Sequence, residues 1–263
     1  METISARKTS HKTTKRIFII FFVLAVIAAV TIWWRTPIIG DEWSKQTIYV
    51  GLLDVWHGAS EDEKAYAMWI DDDSTEGVFE VKAIADHVGI KPSFAVIADR
   101  MEPVVADSIA SWQRQGAGVV LHGLRHERWK DWDKSQIEND IRQSIQRLYE
   151  QGFDTTQILK MIIPPHGCNT RTIRKVIARQ GCQMISGASL VNPDRHVFQL
   201  GRIGIGTDTD LATMRELLQK AYDRKAFVIF STHSSIPEIF SAEKTREVLI
   251  MAKKMGFCFE PYE

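Results

Sequence analysis

From residue 65 onward, short and largely apolar runs alternate with stretches in which apolar positions return every third or fourth residue. The runs are 65–70, 93–98, 118–121, 159–163, 183–186 and 227–231, with a last one at 257–259. Their length and their β-branched and aromatic content predict buried strands. Between them, Ile137, Ile141, Ile145 and Leu148 share one helical face, and Leu211, Met214, Leu217, Leu218 and Ala221 share another. Strand and helix alternating through the body predict an α/β fold, a parallel sheet with helices outside it. No repeat period and no charge or Pro/Gly boundary marks a second domain.

The pattern before residue 65 is different. Residues 17–34 are eighteen positions without a charge, preceded by Arg7, Lys8, Lys12, Lys15 and Arg16. As a helix rising 1.5 Å per residue they reach roughly 27 Å, close to the hydrocarbon thickness of a bilayer. Trp33 and Trp34 stand at the far interface with Arg35 beyond, where a cleaved leader would carry a small-x-small site. The expected organisation is a cytoplasmic tail at 1–16, a retained transmembrane anchor at 17–34, a linker with a lead-in strand at 35–64, and a catalytic domain at 65–263. The lipid bilayer is then a partner of residues 17–34, and the domain lies on the extracytoplasmic side of the cell membrane.

Charge and cysteine content narrow the picture. The 263 residues carry 33 basic and 33 acidic side chains. Residues 1–35 hold six Lys/Arg and one Asp/Glu, so that segment is +5 and the body is −5. A mildly acidic body excludes nucleic acid as the expected partner, because phosphate binding needs a basic face. Cys168, Cys182 and Cys258 lack metal-type spacing, which leaves one bridge or three thiols open.

The candidate chemistry sits where strands end. Asp71-Asp72-Asp73 closes one run, His122-Gly123-Leu124-Arg125-His126 follows another, and His233 follows a third. Loops leaving the C-terminal ends of parallel strands converge on one face, so these clusters are expected to meet. Two imidazoles and a carboxylate suit an open divalent-metal site, and metal-assisted hydrolysis is the chemistry that follows.

The order strand-Asp-Asp, His-x-x-x-His, Pro-Pro-x-Gly and strand-x-His resembles the polysaccharide deacetylase family of metal-dependent carbohydrate esterases. The resemblance spans 65–260 and includes Lys91-Pro92-Ser93-Phe94-Ala95-Val96. It implies a distorted (β/α) barrel with parallel strands, here behind one N-terminal transmembrane helix. It also implies Asp71 as general base, Asp72, His122 and His126 as ligands of a divalent cation such as zinc, and His233 as general acid. Pro165, His166 and Gly167 match the groove segment whose central amide, that of His166, holds the oxyanion. The implied substrate is an N-acetylated cell-surface or extracellular polysaccharide.

Three departures stand out. Asp73 replaces the glycine that follows the two acids, and Ile163 replaces an arginine that pairs with the base. The Asp/Trp motif that orients the acid histidine has no match, only Asn192-Pro193-Asp194 and, further on, Asp208 and Asp210. Arg125, Arg202 and Lys160 are the candidates to replace the arginine. A catalytically impaired member, binding glycan or metal in the envelope, is the alternative reading.

Overall fold

The computed structural model describes residues 63–72, 75–187 and 191–259, all within the unit Val50–Glu263. The chain runs β1 (Tyr66–Asp71), α1 (Val78–Val88), β2 (Ser93–Val96), α2 (Pro103–Gln113), β3 (Gly118–Leu121), α3 (Lys134–Glu150), β4 (Met161–Ile162), α4 (Arg171–Arg179), β5 (Gln183–Ile185), β6 (Gln199–Leu200), β7 (Ile203–Gly204), α5 (Leu211–Asp223), β8 (Phe227–Thr232) and α6 (Ala242–Met255). All pairings between these strands are parallel, in the order β6-β5-β4-β3-β2-β1-β8-β7. Parallel neighbours need long crossovers, and the helices predicted between the apolar runs supply them.

The expected barrel is a curled sheet whose edge strands, β6 and β7, are not bonded to each other. Only Gly201 and Arg202 separate them in sequence. Three residue steps span at most about 11 Å, so the two edges must lie close together. Asn192, 3% exposed, stitches this seam. Its side chain accepts from the Gly201 N–H at 2.7 Å and donates to the carbonyls of Gly201 and Phe227 at 3.0 and 3.2 Å. The run expected at 257–259 is reduced to a single bridge, Tyr66 to Cys258.

Strand periodicity sorts the core into two layers. Met68, Ile70, Ala95, Val120, Met161, Ile163, Ile185, Leu200, Phe227 and Ile229 fill the concave side. Trp69, Phe94, Val96, Val119, Leu121, Ile162, Val228 and Phe230 face the helices. The helices are fixed at their ends as well as along their faces. Asp133 and Gln136 form a reciprocal capping box at the start of α3, and Gly89, left-handed at φ 72, ends α1.

The three cysteines are free thiols, with Cys168 buried. The expected anchor at 17–34, its flanking tail 1–16 and the lead-in strand lie outside the described residues. Among the described residues no helix is long and apolar enough to cross a membrane.

Candidate active site

Two-residue alternation carries past the strand ends. The Asp72 N–H continues the ladder to the Thr232 carbonyl, that of His122 to Val96, and that of Ile163 to Leu121. On β1 the concave positions are 68 and 70, so 72 is the next; on β3 they lead to 122, on β8 to 233, and across the seam from Leu200 to Arg202. Asp72, His122, Arg202 and His233 therefore rise from one rim. Position 163 on the same rim is Ile163, fully buried.

His122 is 3% exposed, and its Nδ1 lies 2.8 Å from the Ile163 carbonyl oxygen. A carbonyl only accepts, so Nδ1 carries the proton and Nε2 presents a lone pair. The Nε2 of His126 lies 3.1 Å from that Nε2. Two nitrogens about 2.0–2.1 Å from one tetrahedral ion would stand roughly 3.3 Å apart. His126 reaches this position through a left-handed backbone at φ 59, and His166 adopts the same region at φ 56. Such conformations cost non-glycine residues on the order of 1–3 kcal/mol and concentrate at functional sites. His166 lays its ring against His126, centroids 4.4 Å apart, and its Nε2 lies 2.9 Å from the His126 carbonyl oxygen. Gly123 permits the two loops to meet: at φ +83, a Cβ there would stand 2.9 Å from Pro165. The cluster of the His122, His126 and His166 rings was not legible in the sequence, where His166 counted only for its amide.

Asp72 is the charged centre of the rim. It is 1% exposed and its Oδ2 takes a charge-assisted bond from Arg202. The Nε2 of His233 lies 3.3 Å from the same oxygen. Burial pushes the Asp72 carboxyl up, but Arg202, His122 and His233 together outweigh it and hold its pKa below the ordinary value. Its other oxygen, Oδ1, is buried and has no hydrogen-bond partner among the described residues.

Asp71, expected as the general base, is held by the segment that ends β8 and follows it. It shares the helix-facing parity of Trp69 and is fully buried. Its Oδ1 accepts from the Thr232 hydroxyl at 2.7 Å and the Ser234 N–H at 3.0 Å, and its Oδ2 from the Ser234 hydroxyl at 2.6 Å. Thr232 in turn accepts from the Trp69 indole at 3.0 Å. Burial raises the Asp71 pKa to about 7, against the bonds from Ser234 and Thr232 and with the neighbouring Asp72 charge adding to it. Asp71 clamps residues 232–234 and so positions His233 from behind.

Of the three cations expected to replace the missing arginine, only Arg202 reaches the acids, and it holds Asp72, not Asp71. Arg125 pairs with Asp99 at 3.0 Å, and Lys160 lies exposed just before β4. Asp194 caps the His196 N–H and Asp210 caps α5, so neither orients His233. Asp73 lies outside the described residues.

The donors fit a divalent cation. Two imidazole nitrogens converge, one already fixed through its far nitrogen, and a nearby buried carboxylate keeps one oxygen bare. Among the described residues no three His, Cys, Asp or Glu side chains stand together as a finished ligand cluster; Arg202 and His233 draw the other oxygen of Asp72.

Comparison with known proteins agrees with this architecture. Residues 58–185 match the family model described as polysaccharide deacetylase. Solved structures of similar fold include a peptidoglycan N-acetylglucosamine deacetylase, at 13% identity and TM-score 0.55 over 76% of this chain and 86% of that one. A family 4 acetyl xylan esterase from Clostridium thermocellum, solved with a cobalt ion, aligns at 16% identity and TM-score 0.53 over 73% and 85%. A polysaccharide deacetylase from Bacillus cereus aligns at 15% identity and TM-score 0.50 over 76% and 93%. No curated protein matches the chain in sequence.

Proposed function

We propose that this chain hydrolyses N-acetyl groups from a cell-surface or extracellular polysaccharide, using a divalent metal, zinc in our reading, from a domain tethered to the cell membrane by residues 17–34. The observation that carries the proposal is the 3.1 Å approach of the His122 and His126 Nε2 atoms, on the same rim as the bare, buried Oδ1 of Asp72. His122, His126 and Asp72 are the residues that would hold the ion. When bound, the metal supplies a Lewis acid for the acetamide carbonyl and makes water nucleophilic near neutral pH.

The chain's own residues supply the rest. His233 moves the proton: its Nε2, 3.3 Å from Asp72 Oδ2, takes a proton from the attacking water and delivers it to the departing amine nitrogen. The Asp72 carboxylate holds that imidazole in place between those steps. The His166 N–H, in the strained turn shaped by Pro165 and Gly167, is the donor assigned to the developing oxyanion. Acetate and a free amino sugar are the products. The base role expected of Asp71 passes to His233, because the oxygens of Asp71 are committed to Thr232 and Ser234.

Two measurements test this. The full-length chain is expected to bind one divalent ion and to release acetate from N-acetylated oligosaccharides, with release abolished by a chelator and restored by zinc. Release that survives complete chelation refutes metal-assisted hydrolysis. The competing reading, a glycan- or metal-binding relative without turnover, draws on the Arg202 contact to Asp72; metal uptake with no acetate release from any substrate selects it.

Asp71 gives a sharper result. Asp71→Asn keeps an acceptor for Thr232 and the Ser234 N–H, and activity is expected to stay within a few fold of the parent. Asp71→Ala orphans buried donors at about 1–3 kcal/mol each and lowers the melting temperature. A loss of 10²–10⁴-fold in Asp71→Asn, the range for a proton-transfer group, would return the base role to Asp71.

A further inference from the structure

Strands that all run parallel give the domain two distinct ends, and the two ends differ in charge. Segments that follow the strands build the rim; segments that lead into the strands build the opposite end. At the lead-in end stand Lys64 before β1, Lys91 before β2, Arg114 before β3, Lys160 before β4, and Arg224 and Lys225 before β8, all exposed. Three acids, Glu63, Asp154 and Asp194, share these segments. The rim end has the reverse balance. The segments leaving β1, β2, β6 and β7 carry Asp72, Glu76, Asp99, Glu102, Asp208 and Asp210 against Arg100 and Arg202. Residues 122–133, after β3, hold three acids and three Lys/Arg.

Helix dipoles account for part of the cationic end. A cation at a helix C-terminus offsets the partial charge of the last carbonyls, and Lys253, whose Nζ donates to the Val88 and Gly89 carbonyls, is used in this way. Lys64 and Lys160 stand at strand starts, away from any last helical turn. None of Lys64, Lys91, Lys160 and Lys225 pairs with an acid among the described residues. Lys225 also holds a left-handed backbone, φ 55, where glycine is favoured. Its ammonium meets no acid inside the fold, so the charge is free to act on a partner outside it.

The partner follows from where the chain arrives. The described residues begin at Glu63, at the lead-in end, and the anchor of our reading, 17–34, joins the domain from that side. Residues 35–62, fully extended, reach roughly 100 Å, so connection alone does not orient the domain. Charge does: anionic headgroups attract the lead-in end and repel the acidic rim.

We propose that the lead-in end is a docking surface for the anionic lipid headgroups of the membrane that anchors the chain, which turns the catalytic rim outward toward the polysaccharide. The proposal rests on the anchor reading for its bilayer and is independent of metal and of acetate release.

The test places the full-length chain in phosphatidylcholine bilayers with and without about one-third phosphatidylglycerol. Acylation of each lysine by a water-soluble reagent is followed by mass spectrometry. On the anionic bilayer at low salt, Lys64, Lys91, Lys160 and Lys225 are expected to react about threefold more slowly than on the neutral one. Lys130 and Lys134, exposed on the rim side, should be unchanged. Salt at about 1 M, where the Debye length is about 3 Å, should abolish the difference. Lys91→Gln, Lys160→Gln and Lys225→Gly together should return Lys64 to its neutral-bilayer rate, and the glycine suits the left-handed backbone at its position. Equal rates on the two bilayers, or slowing that extends to Lys130 and Lys134, overturns docking through this end. So does slowing by soluble polyphosphate that the anionic bilayer does not reproduce. Retention by the bilayer in high salt reads the anchor separately. A chain that salt releases, but whose four lysines were slowed before it, upholds the surface and removes the anchor; a retained chain with equal rates does the opposite.

Discussion

His122→Ala and His126→Ala are expected to lose metal and acetate release together, while His233→Ala keeps the metal and loses about 10²–10⁴-fold in turnover. The split follows from what each imidazole touches. His122 is held by the Ile163 carbonyl through Nδ1, which turns its Nε2 toward the Nε2 of His126, 3.1 Å away. His233 is one-third exposed and its Nε2 meets the Asp72 carboxylate, a setting for proton transfer. Metal content by elemental analysis and turnover measured on the same preparations separate the two classes. Equal metal loss in all three variants would make His233 a ligand and leave the proton-transfer role without an owner. Backbone strain adds a control at His126. Because φ there is 59, His126→Gly relieves strain that His126→Ala retains, and the glycine variant should be the more stable by about 1 kcal/mol.

The clusters at Asp71–Asp73, His122–His126 and His233 are legible in the sequence because each follows an apolar run long enough to be a strand, and parallel strands gather their ends on one face. Which acid faces the pocket was not visible. In β1 both sides are apolar, Ala67 and Trp69 toward the helices and Met68 and Ile70 toward the concave side. A sheet covered on both faces gives no alternation from which to read parity. The resemblance assigned both acids by position, Asp71 as base and Asp72 as ligand, and it is Asp72 that reaches the rim beside Arg202 and His233. Arg202 was one of three candidate cations, and the sequence could not choose among them for a different reason. It joins two strands of two residues each, Gln199–Leu200 and Ile203–Gly204, too short to carry any periodicity. Only the curl of the sheet, closed across Asn192, brings it to Asp72. The partners of Asp71 were equally silent, since Thr232 and Ser234 read as ordinary polar residues flanking a histidine.

Arg202→Ala is expected to have the second large effect, on stability in the absence of metal. The guanidinium is 12% exposed and its partner carboxylate 1%, so the pair is largely out of water. Removing one member of a buried pair typically costs about 3–5 kcal/mol, because the remaining charge is left without compensation. In a domain of this size that lowers the melting temperature on the order of 10 °C. Arg202→Lys keeps a charge but not the planar fork, and should fall between the two. Metal reverses the order of sensitivity. With Arg202 gone, a divalent cation is the remaining strong neutraliser of Asp72 beyond the two histidines, so adding zinc after chelation should raise the melting temperature of Arg202→Ala more than that of the parent. Thermal unfolding of parent and variant, each with chelator and with zinc, reads this directly. If zinc stabilises both by the same increment, Asp72 does not take part in holding the ion, and its pairing with Arg202 and His233 is its whole role.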